Sequence, residues 1–326
     1  MGNNRIFAIG ASAGGRTAIQ AILKDISPEV NASFLIVVHS SYDMISSFTS
    51  YLNKKIQMEV LDAQENMEVK KGKVYVALPN QHMVVIKGKI MNSNGPRENL
   101  FRPSIDVLFR SVAVDFGNRC VGILLSGRLN DGTVGLEAIK RCGGETIIQN
   151  PETAEFSGMP LTAQKFVDID YCLELEEVGD IIRKLTDEPL PEEIEIPYTI
   201  RREAEIATRI RSQVKTEDFL GEKVPMSCAS CGGPLWKIKD TEIERYRCHV
   251  GHSFSQESLL MAQNENLEET LWVCLRTLEE KKVLMFKMAE NFKNKGSGHI
   301  SRSYSDKIQE VDEHIDRLRK LMDIRD

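Results

Sequence analysis

Three polar side chains of this sequence have the types and positions that acyl-transfer chemistry requires. Ser12 stands in the run GASAGG, where it matches the G-x-S-x-G pattern of a serine held on a sharp strand-to-helix turn. His39 directly follows one apolar run, and Asp131 follows another in the stretch LSGRLNDG. A serine whose proton passes to a histidine beside a carboxylate is an activated nucleophile. The three residues together therefore predict activated-serine chemistry.

Each of these residues also has a simpler interpretation. A glycine-rich turn after the first strand is equally typical of phosphate binding in a dinucleotide-binding domain. The second strand of such a domain usually ends near an acidic residue, whereas here it ends at His39. Taken alone, His39 could be a structural residue and Asp131 a helix N-cap. Their joint position, each just past the carboxyl end of a predicted strand, favours catalysis.

A second group of residues has the spacing of metal ligands. Cys228 and Cys231 form a C-x-x-C pair, and Cys248 and His252 follow after a gap of 16 residues. Two thiolates from one turn and two ligands from another complete a tetrahedral zinc site with no open position. We predict a structural zinc at Cys228, Cys231, Cys248 and His252, with His249 competing for the fourth place. A redox C-x-x-C pair is the alternative.

The elements that would position Ser12, His39 and Asp131 alternate along the first half of the chain. Short β-branched runs alternate with helical stretches, and these runs are apolar at almost every position, as in parallel strands covered on both faces. We predict an α/β fold with a doubly wound, mostly parallel sheet and helices on both faces. An antiparallel excursion at 83–91 would make the sheet mixed. The predicted strands are 6–9, 34–38, 74–78, 121–125, 146–148 and 171–175, and the predicted crossover helices are 17–24 and 133–141.

The second half of the chain changes in composition. The stretch TDEPLPEEIEIP is rich in proline and acidic residues, which predicts a linker that lets the following module move freely. Beyond it we predict a helix at 201–214, the zinc module, and a heptad pattern that breaks at NKGSGH and resumes as a second helix. The predicted segments are a catalytic domain at 1–185, a linker at 186–200, a zinc-ribbon-like module at 201–254 and a C-terminal helical hairpin at 255–326. The predicted seam of the first hairpin helix includes Leu260, Leu267, Leu271, Cys274 and Leu278.

Composition limits the function classes. The 326 residues suffice for about two domains. The composition, with 41% hydrophobic and 28% charged residues, is typical of a globular protein. The net charge of −6 argues against nucleic-acid binding, and we interpret the basic residues around the cysteines, including Arg245 and Arg247, as a solvated face. No apolar run is long enough to span a membrane, and no signal peptide is predicted. The expected location is the cytoplasm.

Several motifs occur in the first half in a fixed order. With them, residues 5–185 resemble the catalytic domain of the chemoreceptor protein-glutamate methylesterases of the CheB type. The matching stretches are IGASAGG (9–15), 72–79 followed by HM (82–83), RPSIDVLF (102–109), GILLSGRLNDGTVGL (122–136) and SGMP (157–160).

The resemblance implies a serine hydrolase that removes methyl groups from glutamate methyl esters of chemoreceptor helices, and in some members also deamidates glutamine. It implies Ser12 as nucleophile, His39 as base and Asp131 as the carboxylate that orients His39, with no cofactor in the chemistry. His82 and Arg102 correspond to positions on the rim of the active site. Methylated chemoreceptor cytoplasmic helices are the expected partners, and the C-terminal helices can pair with a second copy to form a homodimer.

The sequence departs from the family pattern in two loops. His39 is followed by Ser40 and Ser41 where the family has methionine and proline, and Gly127-Arg128-Leu129 replaces Gly-Met-Gly. The chain opens four residues before its first strand, so regulation by a receiver domain within the chain is not expected. Two alternatives follow: a catalytically weak scaffold that recruits partners through its zinc module and helices, and a dinucleotide-binding oxidoreductase.

Overall fold

The computed structural model describes residues 4–39, 42–192, 194–208, 221–239 and 241–323. The strands are β1 (Arg5–Ala11), β2 (Ala32–Val38), β3 (Glu59–Asp62), β4 (Lys73–Val76), β5 (His82–Ile86), β6 (Lys89–Ser93), β7 (Cys120–Leu124), β8 (Glu145–Gln149), β9 (Tyr171–Leu173), β10 (Gly221–Ser227), β11 (Pro234–Ile238), β12 (Arg245–Cys248) and β13 (Ser253–Ser255). The helices are α1 (Gly15–Leu23), α2 (Tyr42–Asn53), α3 (Ile105–Phe116), α4 (Thr133–Arg141), α5 (Gly158–Phe166), α6 (Leu175–Asp187), α7 (Tyr198–Thr208), α8 (Gln256–Asn294) and α9 (Gly298–Asp323). The chain forms two compact units, Met1–Leu259 and Leu260–Asp326.

A seven-stranded sheet in the order β3-β4-β2-β1-β7-β8-β9 forms the centre of the first unit. Its described strand pairs are all parallel. Every residue of β1 and β2 is buried, because one apolar layer packs on each face of the sheet. The predicted doubly wound α/β fold is confirmed.

Two sheet predictions were wrong in detail. The edge strand β3 was not predicted, because only Val60 of its four residues is buried and the sequence therefore carries little strand signal there. Residues 82–93 do turn back as an antiparallel pair, but β5 and β6 form a separate two-stranded sheet rather than part of a mixed one. This hairpin packs on α3, where Val84 contacts Val107 and the Ser111 hydroxyl accepts a hydrogen bond from the Val85 amide.

Strands β10 to β13 form a four-stranded antiparallel sheet that carries the Cys/His cluster, here called the ribbon. The ribbon lies in the same compact unit as the parallel sheet. Five side chains join it to the rest of that unit and are here called the buried ionic cluster. They are Glu98, Arg110 of α3, Glu203 of α7, and Arg245 and Arg247 of β12.

The buried ionic cluster contradicts two expectations from the sequence. Arg245 and Arg247 are buried against carboxylates and do not belong to a solvated face. The ribbon is therefore held on the rest of the first unit rather than free to move. The described residues of 188–197 form neither helix nor strand, as their composition predicts, but Asn118 bonds the carbonyl of Glu192, and Ile196 packs on the sheet core. The predicted domain boundaries stay predictions. Of the helix predicted at 201–214, α7 is observed to Thr208, and 209–214 lie outside the described residues.

The second unit contains most of α8, together with α9. Its core consists of Leu275 of α8 and of Val311 and Ile315 of α9. The seam predicted on α8 was wrong at Cys274, whose neighbour Leu275 is buried instead, and at Leu260 and Leu267, which are exposed. Helix α8 has 39 residues and α9, which follows its C-terminal end, has only 26. Helix α9 is therefore too short to cover the N-terminal part of α8. In the described part of the chain, no helix has the length and apolarity needed to cross a bilayer.

Candidate active site

The three predicted catalytic residues meet at one edge of the parallel sheet. Strand β1 lies between β2 and β7, so the carboxyl ends of these three strands are adjacent. The His39 amide donates to the Ala11 carbonyl at 2.9 Å, and the Ser12 amide donates to the Ser126 carbonyl, also at 2.9 Å. Open α/β sheets bind ligands where the strand order reverses in this way. The structure thus brings together Ser12 after β1, His39 after β2 and Asp131 beyond β7.

Asp131 is fully buried and surrounded by hydrogen-bond donors. His39 Nε2 lies 3.0 Å from Asp131 Oδ2. The Ser104 hydroxyl donates to Oδ1 at 2.9 Å, and the Ile105 amide at the start of α3 donates to Oδ2 at 2.7 Å. Burial by itself would raise the pKa of Asp131, but the hydrogen bonds from His39, Ile105 and Ser104 outweigh it and lower that pKa. Asp131 is therefore ionised, as a carboxylate that holds an imidazole must be.

A second carboxyl group, that of Asp106, lies beside Asp131. Burial and the charge of Asp131 raise the pKa of Asp106 well above its ordinary value. Asp106 accepts hydrogen bonds from the amides of Gly132 and Gly135 at 2.9 and 2.7 Å. The charged form of Asp106 is therefore disfavoured while Asp131 carries its negative charge.

His39 is fixed by stacking as well as by Asp131. Its ring lies 3.7 Å from the ring of Phe101, at an interplanar angle of 7°. Among the described residues, His39 Nδ1 has no hydrogen-bond partner. Ser12 and His39 line one cavity of about 380 Å³ without bonding each other directly. Catalytic hydrogen bonds commonly close only when substrate is bound. The remaining lining residues are Ala13, Arg97, Phe101, Arg102 and Pro103.

The turn that carries Ser12 can hold a developing oxyanion. Because the Ser12 amide is already bonded to Ser126, the donors left at the turn are the amides of Ala13 and Gly14, which have no partner among the described residues. They precede α1, where helix geometry leaves amides unsatisfied. Gly127 makes the close approach possible, since a Cβ there would lie 2.8 Å from Ser12 Cβ and 2.1 Å from Met159 Sδ.

The two larger side chains in the loop after β7 do not line the cavity. The Arg128 guanidinium lies over the Phe156 ring, 4.8 Å from its centroid. Leu129 has a φ of 63°, a left-handed conformation in which glycine is at ease and leucine is strained. The structural effect of this departure from the family pattern is therefore backbone strain at Leu129. Ser40 and Ser41, in the other departing loop, lie outside the described residues.

Replacing Leu129 by glycine is expected to stabilise the first unit by about 0.5–1 kcal/mol. Relief of about 1–2 kcal/mol of left-handed strain exceeds the extra chain entropy of glycine. Urea unfolding of the two proteins measures the difference. Leu129→Ala is the matched control, because it shortens the side chain but keeps the strain. Equal stability of Leu129→Gly and Leu129→Ala would contradict the explanation.

The two expected rim positions differ from each other. Arg102 lines the cavity, and its guanidinium donates to Asn80 Oδ1 and to the carbonyl of Gly95. His82 is buried beside the site instead, and its Nδ1 accepts a hydrogen bond from the Ser104 amide at 3.2 Å. Desolvation lowers the pKa of His82, so its ring is neutral. His82 thus supports Ser104, which in turn holds Asp131.

Sequence reasoning missed four residues of this site. Ser104 and Asp106 belong to the RPSIDVLF motif, so their signal was present but their roles were not assigned. Phe101 and Asn99 carried no signal, because nothing in their own pattern indicates that they meet residues of two distant strands. Asn99 Nδ2 donates to Asp106 Oδ2 at 2.8 Å and to Asp131 Oδ1 at 3.2 Å.

The predicted metal ligands also come together. The ligand atoms of Cys228, Cys231, Cys248 and His252 all lie within 4.8 Å of one another. Cys231 Sγ is 3.7 Å from Cys248 Sγ, and Cys248 Sγ is 3.5 Å from His252 Nδ1. Tetrahedral zinc with its usual bond lengths requires about 3.8 Å between sulfurs and about 3.5 Å between sulfur and nitrogen. His249 does not belong to this group.

Known proteins are similar to the first half of this chain. The profile of the family described as CheB methylesterase matches residues 7–182. A Leptospira interrogans protein, provisionally named a protein-glutamate methylesterase/protein-glutamine glutaminase, is 36% identical over 184 residues, covering 56% of this chain and 95% of that protein. The protein-glutamate methylesterase/protein-glutamine glutaminase 2 of Anaeromyxobacter dehalogenans is 33% identical over 181 residues, and the match spans 53% of its length.

Among solved structures, the Thermotoga maritima CheB methylesterase catalytic domain is similar with a TM-score of 0.54 and 25% sequence identity. The match covers 56% of this chain and 98% of that domain. In each comparison, therefore, the similarity covers little more than half of the chain.

Proposed function

Because this chain belongs to the CheB methylesterase family, we propose that it hydrolyses glutamate methyl esters on chemoreceptors with Ser12 as nucleophile. The observation that carries the proposal is the 3.0 Å contact between His39 Nε2 and Asp131 Oδ2 beside Ser12, with His39 and Ser12 lining one cavity. The names of the relatives support the same substrate chemistry, and glutamine deamidation is the related activity that those names include.

In the acylation step, Ser12 Oγ attacks the ester carbonyl carbon while its proton passes to His39. Since His39 Nε2 is committed to Asp131, Nδ1 is the nitrogen that receives the proton. The amides of Ala13 and Gly14 stabilise the tetrahedral oxyanion. Protonated His39 then donates to the leaving oxygen, methanol departs, and the glutamyl group remains esterified to Ser12.

Deacylation repeats these roles with water. His39 Nδ1 takes a proton from water as its oxygen attacks the acyl carbon, and the proton then returns to Ser12 Oγ as the bond breaks. The products are a glutamate side chain and free enzyme. For a glutamine substrate the leaving group is ammonia instead of methanol, and the same proton transfers apply.

The expected partners are methylated chemoreceptor cytoplasmic helices, which would place the reaction in the cytoplasm. Arg97 and Arg102 line the cavity and give it positive charge. Chemoreceptor glutamate side chains are acidic once demethylated, so this charge suits the product as well as acidic neighbours of the ester. A homodimer through α8 and α9 stays a prediction.

Reaction with a fluorophosphonate tests the nucleophile. Such a probe phosphonylates an activated serine and needs no receptor contacts. We expect one adduct per chain, located on Ser12 by peptide mass spectrometry and absent from the Ser12→Ala variant. An adduct on another residue, or no adduct, would contradict the assignment of Ser12.

We also propose that the ribbon holds one structural zinc on Cys228, Cys231, Cys248 and His252. The two interatomic distances that match tetrahedral zinc support this set. Four protein ligands leave no open position for catalysis.

The zinc proposal predicts one zinc per wild-type chain and a large loss in Cys231→Ser. Removing one thiolate of four leaves an incomplete tetrahedral site. Elemental analysis of proteins purified without added metal provides the measurement, with Cys172→Ser as control because Cys172 is exposed and outside the cluster. Full zinc content in Cys231→Ser would contradict the ligand set.

A further inference from the structure

We propose that the metal-bound ribbon positions the catalytic aspartate, and that Asn99 is the positioning residue through which it acts. The inference rests on the proposed function, because it assigns a support to the triad of Ser12, His39 and Asp131. It concerns the segment 97–103, here called the bridging loop, which lies between the ribbon and the active site.

The side-chain amide of Asn99 forms hydrogen bonds to the active site through its nitrogen and to the end of the ribbon and the start of α8 through its oxygen. Its Nδ2 donates to Asp131 Oδ1 at 3.2 Å and to Asp106 Oδ2 at 2.8 Å. Its Oδ1 accepts from the Ser255 amide at 3.1 Å and from the Ser258 hydroxyl at 3.3 Å. All five residues are buried, so these hydrogen bonds do not compete with bulk water.

The backbone of the bridging loop is paired with the ribbon strand β13. The Asn99 amide donates to the Ser253 carbonyl at 2.8 Å, and the Ser253 amide donates to the Arg97 carbonyl at 3.4 Å. The same loop carries Phe101, which stacks on His39, and Arg97, which lines the cavity. A shift of β13 would therefore reach both His39 and Asp131.

The bridging loop depends on its surroundings for its shape. Asn99 and Leu100 have φ values of 50° and 74°, two consecutive left-handed residues of which neither is glycine. Such a conformation costs on the order of 1–2 kcal/mol per residue and persists only where neighbouring structure imposes it. Here the imposing neighbour is β13, together with the pairing of Glu98 to Arg247.

The metal ligands lie in the same part of the ribbon. His252 directly precedes β13, and Cys248 ends β12, the strand paired with it. The Cys248 amide donates to the His252 carbonyl at 3.0 Å. A metal held by Cys248 and His252 would join the end of β12 to the residue that precedes β13, and it would thus contribute to the folding free energy of this part of the ribbon. Loss of the metal would release β13 and with it the bridging loop.

No described residue of the ribbon lines the cavity of Ser12 and His39. An effect of the metal on labelling by a small probe in the cavity therefore cannot arise from direct contact between the ribbon and the probe. This expectation replaces the simpler one from the sequence, in which the ribbon and the catalytic domain act independently.

The test compares the rate constant of fluorophosphonate labelling at Ser12 in four samples of full-length protein. These are wild type and Asn99→Gly, each loaded with Zn²⁺ and each stripped by a chelator under reducing conditions. Glycine suits the left-handed backbone at position 99, so this variant removes the amide without adding strain. Cys172→Ser, stripped in the same way, is the control for effects of the treatment on a cysteine outside the metal site.

We expect stripping the wild type to slow labelling about 10- to 100-fold, as small misplacements of catalytic groups do. Zinc-loaded Asn99→Gly should be slowed to a similar degree. Stripping the metal from Asn99→Gly should slow labelling much less than stripping it from the wild type, because both changes break the same connection between the ribbon and Asp131. In every sample all chains should finally be labelled, and KM for a small ester should change little while kcat falls.

Equal labelling rates in loaded and stripped wild type would overturn the inference. If stripping slows the Asn99→Gly protein as much as it slows the wild type, the inference is also overturned. A fall in the fraction of chains that can be labelled overturns it as well, because unfolding lowers that fraction whereas misalignment lowers only the rate. These results differ from failure of the proposed function itself, in which loaded wild type would not be labelled at Ser12 at all.

Discussion

Replacing Ser12 by alanine is expected to lower kcat for ester hydrolysis about 10⁶-fold, the loss seen when a triad serine or histidine is removed from serine hydrolases. His39→Ala should lose about as much, because the two residues act as a unit. Asp131→Asn should lose about 10⁴-fold, since an amide cannot hold the same imidazole tautomer. Steady-state hydrolysis of a small activated ester measures all three.

The control for this series is Ser303→Ala, which removes an exposed hydroxyl on α9 and should leave kcat unchanged. The graded order of losses is specific to a triad. Equal activity in Ser12→Ala and wild type would contradict the assignment of Ser12 as nucleophile. Full activity in Asp131→Asn would contradict the orienting role of Asp131.

Replacing Glu203 by alanine is expected to destabilise the first unit by about 3–5 kcal/mol, the cost of leaving buried charges without their partner. The Glu203 carboxylate accepts from Arg110 Nη1 at 3.3 Å, Arg245 Nη2 at 3.0 Å and Arg247 Nη2 at 3.2 Å. Without it, Arg110 and Arg247 keep only Glu98 as a partner, and Arg245 loses the carboxylate that it contacts. Urea unfolding monitored on the first unit provides the measurement.

The matched control is Glu205→Ala on the same helix, whose ion pair with Arg202 is partly exposed and should contribute less than about 1 kcal/mol. Acid should act as the Glu203 variant does. Burial would raise the pKa of Glu203, but Arg245 and Arg110 lower it below its ordinary value. Its stabilisation is therefore complete above about pH 4.3 and is lost as the pH falls towards the lowered value. Equal costs for Glu203→Ala and Glu205→Ala would contradict this account of the cluster.

The grouping of Ser12, His39 and Asp131 could be predicted because one physical rule governs it. Parallel strands place their carboxyl ends at one edge, so Ser12, His39 and Asp131 meet wherever β1, β2 and β7 are neighbours. The grouping of Cys228, Cys231, Cys248 and His252 follows in the same way from the reach of two tight turns. Local sequence patterns carry both.

The attachment of the ribbon could not be predicted, because it depends on charges that look solvated in sequence. Arg245 and Arg247 are buried only because Glu98 and Glu203, from two distant segments, meet them. The role of Asn99 was equally hidden, since its partners lie 32 residues away at Asp131 and 156 residues away at Ser255. Long-range pairing of polar residues leaves no periodic signal.

Release of methanol from a methylated chemoreceptor fragment measures whether this protein is a methylesterase that uses Ser12. Purified wild-type protein and Ser12→Ala are incubated with the fragment, and methanol is measured alongside the mass of the receptor peptides. We expect methanol from wild type only, matched by conversion of the same number of glutamate methyl esters to glutamate. Intact methyl esters after incubation with wild-type protein whose Ser12 reacts fully with a fluorophosphonate would contradict this expectation.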